Sequence, residues 1–503
     1  MASEGLIFVG GEVLESDDDE EDLPESVEAV LSRWWRSMPA GERNRISCQH
    51  SLEAHLSPRS RIWSIARTAQ GEEFLNQRAQ KLSSAVLAHA SRPVSREYVC
   101  DLLALACHLL WLPGRAKEAV VHLDTAMKSL AANSYGGELE KSLRYAMARA
   151  DVQFKADCRR REALKLQRHA ASLPEFRTVR CIAADELNDH LHAWHEQAEP
   201  VLVKGLAWTM TSTKWSFQHI RDVAGHCSVE LMKPSSQSAL WAKLETSTTS
   251  LVRDFIDRLL TANALAGNGS DCPSTTQSPT CDEPAAKRSM PSKQAADDCD
   301  YLFDWSLPLN CPELAAEVSV PPGLADNWLS NLSEGTQYHN SWPSLFAAPS
   351  GLASGLHIDA FCSSFWMAVF EGTKRWTIFP RDEAAMLSPT YPFSLDAALP
   401  MDVTGWNDPM SSLATDYPAL TMTHPWQVCV EAGDVLLVPW GCAHQVENVG
   451  TTLAISSNVV TRHNAKESIS WLSLQRLEDP NADGIVRELT SRLKEASRVL
   501  VPG

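Results

Sequence analysis

Two short segments of the sequence carry side chains that together could bind one divalent metal ion. His357 and Asp359 are two residues apart, so a β-strand would place both side chains on one face. His444 follows the apolar segment 435–438, which is broken at Pro439, and is the third candidate ligand. Two histidines and one carboxylate on one side of a metal leave positions open for a chelating cosubstrate and O₂, as in non-haem Fe(II) oxygenases.

The chain after the first histidine adds a candidate anion site. Residues Phe365–Phe370 and Arg375–Phe379 read as two strands around a tight turn, and we predict that they form a hairpin beside the metal ligands. Lys374 would point into the interior, where a charge without a partner is costly. We therefore expect Lys374 to pair with a carboxylate of 2-oxoglutarate, and Ser354 to hydrogen-bond to the same carboxylate.

The order of these motifs resembles the Jumonji-C (JmjC) Fe(II)/2-oxoglutarate oxygenases of the cupin superfamily. Within that superfamily it is most similar to the bifunctional arginine demethylase and lysyl-hydroxylase group. The runs that carry the resemblance are, in chain order, Tyr301–Asp304, His357-Ile358-Asp359, Trp366, Gly372–Pro380, Gly433–His444 and Thr452–Asn458. The resemblance covers roughly residues 176–462 and is densest from 340 to 460.

The resemblance implies an enzyme that uses Fe(II), 2-oxoglutarate and O₂ to hydroxylate or N-demethylate a protein side chain. The residues implied are His357, Asp359 and His444 as Fe(II) ligands and catalytic residues, and Lys374, Ser354, Ser456 and Asn458 at the 2-oxoglutarate site. The chain departs from the group at Met367, where asparagine is common, and at Cys442-Ala443, where bulky aromatic residues are common. Both changes touch the pocket, so the substrate of the group is not carried over.

The elements that must position these residues give an α+β fold class. Short strands alternate with Gly and Pro turns over residues 301–460, and this pattern predicts a β-barrel or sandwich. The resemblance specifies a double-stranded β-helix (jelly-roll or cupin) JmjC domain. The predicted segments are an acidic disordered tail at 1–22, a helical accessory domain at 23–175, the oxygenase domain at 176–462 with a disordered insertion at 263–300, and C-terminal helices at 463–503.

The C-terminal helices and the composition bear on partners. An apolar stripe at Ile485, Leu489, Leu493 and Leu500 either packs back on the barrel or pairs two chains, and we favour a homodimer. The formal net charge of −18 argues against general nucleic-acid binding. No apolar run is long enough to cross a membrane, and the N-terminus lacks a secretory signal. We therefore expect an intracellular protein, in the nucleus or cytoplasm, with a protein substrate and no membrane.

Other functions stay open at this point. The same fold could hydroxylate RNA or a nucleoside, although the acidic charge speaks against it. A zinc or manganese cupin isomerase would usually add a glutamate where this chain has Ser363 and Ser364. A non-catalytic scaffold is the third alternative, which the intact ligand set and Lys374 disfavour. The cluster His190, His192 and His195 reads as a surface helix rather than a second metal site.

Overall fold

The computed structural model describes residues 23–49, 57–89, 94–133, 137–166, 172–235, 238, 241–267 and 300–499. The acidic tail predicted at 1–22 lies outside the described residues. So does most of the insertion predicted at 263–300, although the helix that begins at Val252 continues to Gly267. Within the described ranges, no helix is both long and apolar enough to span a lipid bilayer.

The N-terminal region is built from helices that share one apolar core. Its helices are α1 (Val27–Ser37), α2 (Ala40–Gln49), α3 (Pro58–Ala66), α4 (Ala69–His89), α5 (Arg96–Leu110), α6 (Ala116–Asn133) and α7 (Glu138–Leu166). Helix α1 begins after Ser26, whose Oγ caps the helix by accepting a hydrogen bond from Ala29 N at 3.1 Å. Leu105 and Leu109 of α5 are almost fully buried against neighbouring helices.

Two facing β-sheets form the jelly-roll core that the resemblance predicts. The larger sheet has the order β2-β3-β11-β8-β13-β7-β6, and the smaller has the order β1-β10-β9-β12. The strands are β1 (Arg177–Thr178), β2 (Arg180–Ala183), β3 (Val201–Lys204), β4 (Ser228–Pro234), β5 (Leu244–Leu251), β6 (Leu302–Ser306), β7 (Ser344–Ala348), β8 (Ser364–Glu371), β9 (Thr373–Ile378), β10 (Trp426–Glu431), β11 (Val435–Val438), β12 (His444–Asn448) and β13 (Thr452–Val459). Strands β4 and β5 pair as a separate ribbon.

Alternation along the strands divides the core into two layers. Phe365 and Met367 of β8 face the space between the sheets, together with Trp376 of β9. Trp366 and Phe370 of β8 point the other way, into a layer covered by helices. These helices are α8 (Leu187–His195), α9 (Phe217–Ala224) and α10 (Val252–Gly267). The space between the two sheets therefore holds the candidate site, and the outer layer supports it.

The predicted hairpin around Gly372 is wrong. Strand β8 pairs with β11 and β13 in the larger sheet, whereas β9 pairs with β10 and β12 in the smaller one. Gly372 turns the chain from one sheet to the other with φ of +75°, and a Cβ atom there would lie 2.2 Å from Thr451 O. The crossing places Lys374 opposite the strand that begins with His444.

The helical region packs against the long connection between β9 and β10, residues 379–425. Phe393 of this connection lies against Trp63 of α3, with ring centroids 5.6 Å apart. Gln153 of α7 accepts a hydrogen bond from Tyr391 N at 3.1 Å. The same connection also contacts the jelly roll, since Val403 N donates to Gln445 Oε1 of β12 at 2.7 Å.

The C-terminal helices also pack on their own chain. Short helices lie at α11 (Leu307–Asn310), α12 (Pro312–Glu317), α13 (Pro322–Ala325) and α14 (Leu413–Asp416), and the C-terminal pair is α15 (Ala465–Gln475) and α16 (Ala482–Val499). Ile485 and Leu489 of α16 are fully buried in a cluster that includes Phe361. Leu500 lies outside the described residues. The stripe therefore packs back on its own chain, which is the first of the two alternatives. The homodimer stays a prediction, and it would have to form through a surface other than this stripe.

Candidate active site

The three predicted ligands meet at the edge of the smaller sheet. His357 and His444 face each other in a β-bridge, and their backbone N–H groups donate to each other's carbonyls at 3.1 and 2.8 Å. Asp359 follows in extended backbone, with φ −64° and ψ 143°. The Nε2 atoms of both histidines lie 3.8 Å from Asp359 Oδ1. Within the described part of the chain, no other three His, Cys, Asp or Glu side chains converge in this way.

The neighbours of the two histidines prepare them as metal ligands. The Nδ1 atom of His357 lies 2.7 Å from Gly355 O, and that of His444 lies 3.0 Å from Cys442 O. Because a carbonyl oxygen only accepts, each Nδ1 carries the proton and each Nε2 keeps its lone pair. Burial lowers the pKa of His444 to about 4 and also lowers the pKa of His357, so both rings are neutral.

Asp359 is the anionic member of the set. Asn458 Nδ2 donates to Asp359 Oδ2 at 3.1 Å and to Ser363 Oγ at 2.7 Å, which fixes the carboxylate. Burial, and next the nearby Asp304 carboxylate, raise the pKa of Asp359 to about 7. A divalent cation among two neutral imidazoles and this carboxylate would remove that penalty. The donor set therefore fits a divalent metal, with Fe(II) the typical ion for two histidines and one carboxylate.

Lys374 lies in the same pocket as the three ligands, and its side chain is fully buried. Its Nζ donates to Asn448 Oδ1 at 2.7 Å and lies 5.9 Å from the centroid of the Tyr301 ring. Burial alone lowers the pKa of Lys374 to about 7. The pocket thus holds a metal-binding end and a cationic end, which suits an anion with two carboxylates.

The other predicted 2-oxoglutarate residues also line this pocket, each with its own protein contact. Ser354 Oγ accepts from Val446 N at 3.2 Å. Ser456 Oγ donates to Trp366 O at 2.8 Å, so toward the pocket it offers lone pairs. Asn458 contacts Asp359 directly. The structure brings all seven predicted residues together, and their roles toward the cosubstrate stay predictions.

Sequence reasoning missed residues that complete the pocket. Asn448 carries no motif of its own, but it lies four residues after His444 on β12, and period-two alternation places both on one face. That alternation was the available signal. Tyr301 belongs to a run that supports the resemblance, and its ring lines the pocket near Lys374. Met367, a departure from the resembled group, lines the pocket as an apolar side chain.

Aromatic and acidic side chains form the mouth of the pocket. A bulge in β6, opposite β7, displaces Phe303 and Asp304, and Asp304 has a φ of +51°. Bulges beside active sites often redirect a side chain, and both residues line the pocket. Trp241 Nε1 donates to Ile358 O at 3.2 Å, and its ring stands edge-on to His357 at 4.7 Å between centroids.

The histidine cluster on α8 does not form a second metal site within the described residues. His190 and His192 stack at 6.3 Å, while His195 stacks on His463 at 4.7 Å. Burial lowers the pKa of His195 to about 4. These side chains pack on a helix, in agreement with the surface-helix interpretation.

Comparison with known proteins supports these observations. Residues 188–460 match the model of the cupin-like domain family. The chain is 29% identical to the arginine-specific demethylase JMJ22 of Arabidopsis thaliana over 193 residues, which is 38% of this chain and 36% of that protein. It is 29% identical to the human 2-oxoglutarate and iron-dependent oxygenase JMJD4 over 190 residues, or 35% and 40% of the two chains.

These relatives confirm the resemblance to JmjC oxygenases, although the matched segment spans well under half of the length of either relative. The family match itself covers more than half of this chain and includes both sheets of the jelly roll from β3 onward. The chain therefore belongs to the cupin-like domain family.

Proposed function

We propose that this protein is an Fe(II)- and 2-oxoglutarate-dependent dioxygenase that hydroxylates or N-demethylates a protein side chain. One observation carries the proposal: a buried lysine without a carboxylate partner among the described residues shares a pocket with two histidines and one aspartate that converge on one point. A structural role for this arrangement would be expensive, because the Lys374 ammonium and the Asp359 carboxylate both lose water without gaining a counter-ion among the described residues.

In this proposal His357, Asp359 and His444 hold the iron. An iron ion bound there would supply the oxidation of a substrate C–H bond by O₂, coupled to the decarboxylation of 2-oxoglutarate. Lys374 binds the distal carboxylate, with Ser354 as a hydrogen-bonding neighbour. Asn458 keeps Asp359 in its ligand orientation. Phe365 and Trp376 pack beside His444 and exclude water from the inner wall.

The substrate class we propose is a cationic protein side chain, lysine or arginine. Asp304 places a carboxylate at the pocket mouth, and Trp241 and Phe303 place aromatic faces beside it. Carboxylates and aromatic faces both attract ammonium and guanidinium groups. The names of JMJ22 and of JMJ20, a second Arabidopsis thaliana relative at 26% identity, describe arginine-specific demethylases, which agrees with this substrate class. Hydroxylation of an N-methyl carbon releases formaldehyde, so one site supports both outcomes.

The acidic mouth disfavours the RNA or nucleoside alternative, since a phosphate group would meet Asp304 rather than a basic side chain. Succinate formation decides between an oxygenase and an inert scaffold. We expect the full-length protein with Fe(II) to convert 2-oxoglutarate to succinate, and the Asp359→Ala variant to form none. If the wild-type protein forms no succinate beyond the Asp359→Ala background, the enzyme proposal fails.

The substrate is sought with proteins captured by the Asp359→Ala variant and then incubated with the wild-type enzyme. Mass spectrometry should detect a gain of one oxygen atom, or replacement of a methyl group by hydrogen, at lysine or arginine. The matched variant Asp304→Asn should lower modification at saturating Fe(II). Because Asp304 also raises the pKa of the ligand Asp359, the metal affinity of the variant is measured in parallel. Modification confined to uncharged side chains or to RNA would contradict the proposed substrate class.

A further inference from the structure

The cationic end of the pocket contains no carboxylate partner for Lys374 among the described residues. Lys374 is fully buried, yet its Nζ donates to an amide oxygen rather than to a carboxylate. The acidic side chains that line the pocket are Asp304 and Asp359, and among the described residues neither lies within ion-pair distance of Nζ. The elements that face the ammonium thus supply one neutral acceptor and one aromatic ring.

That acceptor, Asn448, is held rigidly. It is 1% exposed and lies directly opposite Lys374 in the pairing of β12 with β9. Its Oδ1 accepts from Thr452 Oγ1 at 2.7 Å as well as from Lys374, and its Nδ2 donates to Leu352 O at 2.7 Å. With both ends of the amide bonded, Asn448 has a fixed orientation.

A fixed neutral acceptor and a fixed carboxylate would have different effects on the lysine. Either group orients the ammonium, but only a carboxylate neutralises it. A built-in carboxylate would therefore compete with any anionic ligand for the charge of Lys374, whereas an amide leaves that charge available.

We propose that Asn448, braced by Thr452, is the positioning residue that orients Lys374 while reserving its charge for the distal carboxylate of the cosubstrate. This inference rests on the proposed 2-oxoglutarate site and adds to it the residue that sets preference for a dicarboxylate. A purely structural role is the alternative, because Asn448 also ties the 351–352 segment to β12: Gly351 N donates to Asn448 O and Asn448 N donates to Leu352 O.

Ligand selectivity separates the two roles. Pyruvate carries the same 2-oxo acid group as 2-oxoglutarate but lacks the distal carboxylate, so it can chelate the metal without reaching Lys374. A positioning role for Asn448 affects 2-oxoglutarate alone. If the role of Asn448 is structural, its substitution should loosen the pocket and weaken the binding of both ligands.

The experiment is calorimetric titration of 2-oxoglutarate and of pyruvate into the full-length Mn(II) protein. For Asn448→Asp we expect the dissociation constant of 2-oxoglutarate to rise about tenfold or more, since an internal ion pair must first be broken. For Asn448→Ala and Thr452→Val, which remove the acceptor or its brace without adding charge, we expect a rise of roughly threefold to tenfold. Pyruvate and Mn(II) affinities should change less than the 2-oxoglutarate affinity in every variant, because neither ligand reaches Lys374.

The matched control is Asn464→Asp. Asn464 is 2% exposed and bonds backbone groups through both ends of its amide, but it lies outside the pocket. Asn464→Asp should change the dissociation constant of neither ligand. Equal weakening of 2-oxoglutarate and pyruvate, or unchanged 2-oxoglutarate affinity in Asn448→Asp, would overturn the inference alone. If Asn448→Asp does not fold, Thr452→Val is judged by the same selectivity. Absence of 2-oxoglutarate binding to the wild-type protein would overturn the proposed function as well.

Discussion

The helical region and the jelly-roll pocket bury different kinds of side chains. The helical core is apolar, and its charged residues pair on the surface one helical turn apart, as in Arg115–Glu118, Lys128–Asp124, Arg144–Glu140 and Lys155–Asp151. Its buried carboxylate, Asp157, accepts from Arg160 at 2.6 Å. The pocket instead buries Lys374 without a carboxylate partner among the described residues and raises the pKa of Asp359.

The difference shows that the helical core stabilises the fold, whereas the pocket serves ligand binding at a cost in stability. Apolar burial in the helical region lowers the free energy of the folded state directly. Unpaired charge in the pocket raises it, so the pocket persists because the surrounding sheets over-determine it. Substitutions in the pocket should therefore remove ligand binding without unfolding the protein, and substitutions in the helical core should do the reverse.

The largest expected effect is at the metal ligands. His357→Ala, Asp359→Ala and His444→Ala should each abolish succinate formation, because two protein ligands hold the metal far less well than three. Each variant should stay soluble and keep the far-UV circular dichroism of the wild type, since the bridge between residues 357 and 444 is made by backbone groups that alanine retains. Fe(II)-dependent turnover that survives Asp359→Ala would show that the metal is bound elsewhere.

A substitution in the helical core should lower the stability of the protein without changing its affinity for 2-oxoglutarate. Leu109 is 1% exposed, and Leu109→Ala should lower the free energy of unfolding by about 2–5 kcal/mol in chemical denaturation. The affinity for 2-oxoglutarate at temperatures where the protein stays folded should be unchanged. Leu87 in the same region is 71% exposed, so Leu87→Ala should change stability by roughly 0.5 kcal/mol or less. Loss of 2-oxoglutarate affinity in Leu109→Ala would break the separation between the regions.

Lys374 offers the sharpest test inside the pocket. Lys374→Ala should weaken 2-oxoglutarate binding on the order of a hundredfold, because a buried carboxylate loses its counter-charge. Mn(II) affinity should be unchanged, since Lys374 is not a ligand. Titration of 2-oxoglutarate into the Mn(II) form measures the effect.

The companion variant Lys374→Met keeps the side-chain volume but removes the charge. It should raise the free energy of unfolding by on the order of 2 kcal/mol, since no buried ammonium remains to be desolvated. A variant that gains stability while losing the cosubstrate is the result that a purely structural lysine could not give. Unchanged cosubstrate affinity would indicate such a lysine.

Side-chain spacing and alternation predicted the ligand set, Lys374 and a β-barrel or sandwich, because these patterns are local, and the resemblance to JmjC oxygenases specified the jelly roll. Sequence reasoning failed where a contact depends on which sheet a strand joins. The turn at Gly372 reads equally well as a hairpin and as a crossover, and only the pairing of β9 with β12 distinguishes them. The same pairing brings Asn448 to Lys374 across 74 residues. Alternation along β12 places Asn448 on the face of His444, but it does not indicate the contact with Lys374. The bulge that displaces Asp304 likewise depends on its register with β7.

The smallest expected effect is a pH dependence that belongs to the pocket alone. In the cosubstrate-free protein, burial lowers the pKa of Lys374 to about 7, whereas a bound carboxylate would raise it. Above pH 7 the free protein has lost a proton that the complex retains, so binding must take one up and the affinity falls as pH rises. With Mn(II) saturating, the dissociation constant of 2-oxoglutarate should increase about tenfold between roughly pH 7 and pH 8.5. Below about pH 6 Lys374 is protonated in both states and contributes no slope.

The control is Lys374→Met. It should bind 2-oxoglutarate weakly, with an affinity that does not change between roughly pH 7 and pH 8.5, because its side chain does not titrate. An identical slope in wild type and Lys374→Met would assign the proton to another group and remove the electrostatic contrast between the pocket and the helical region.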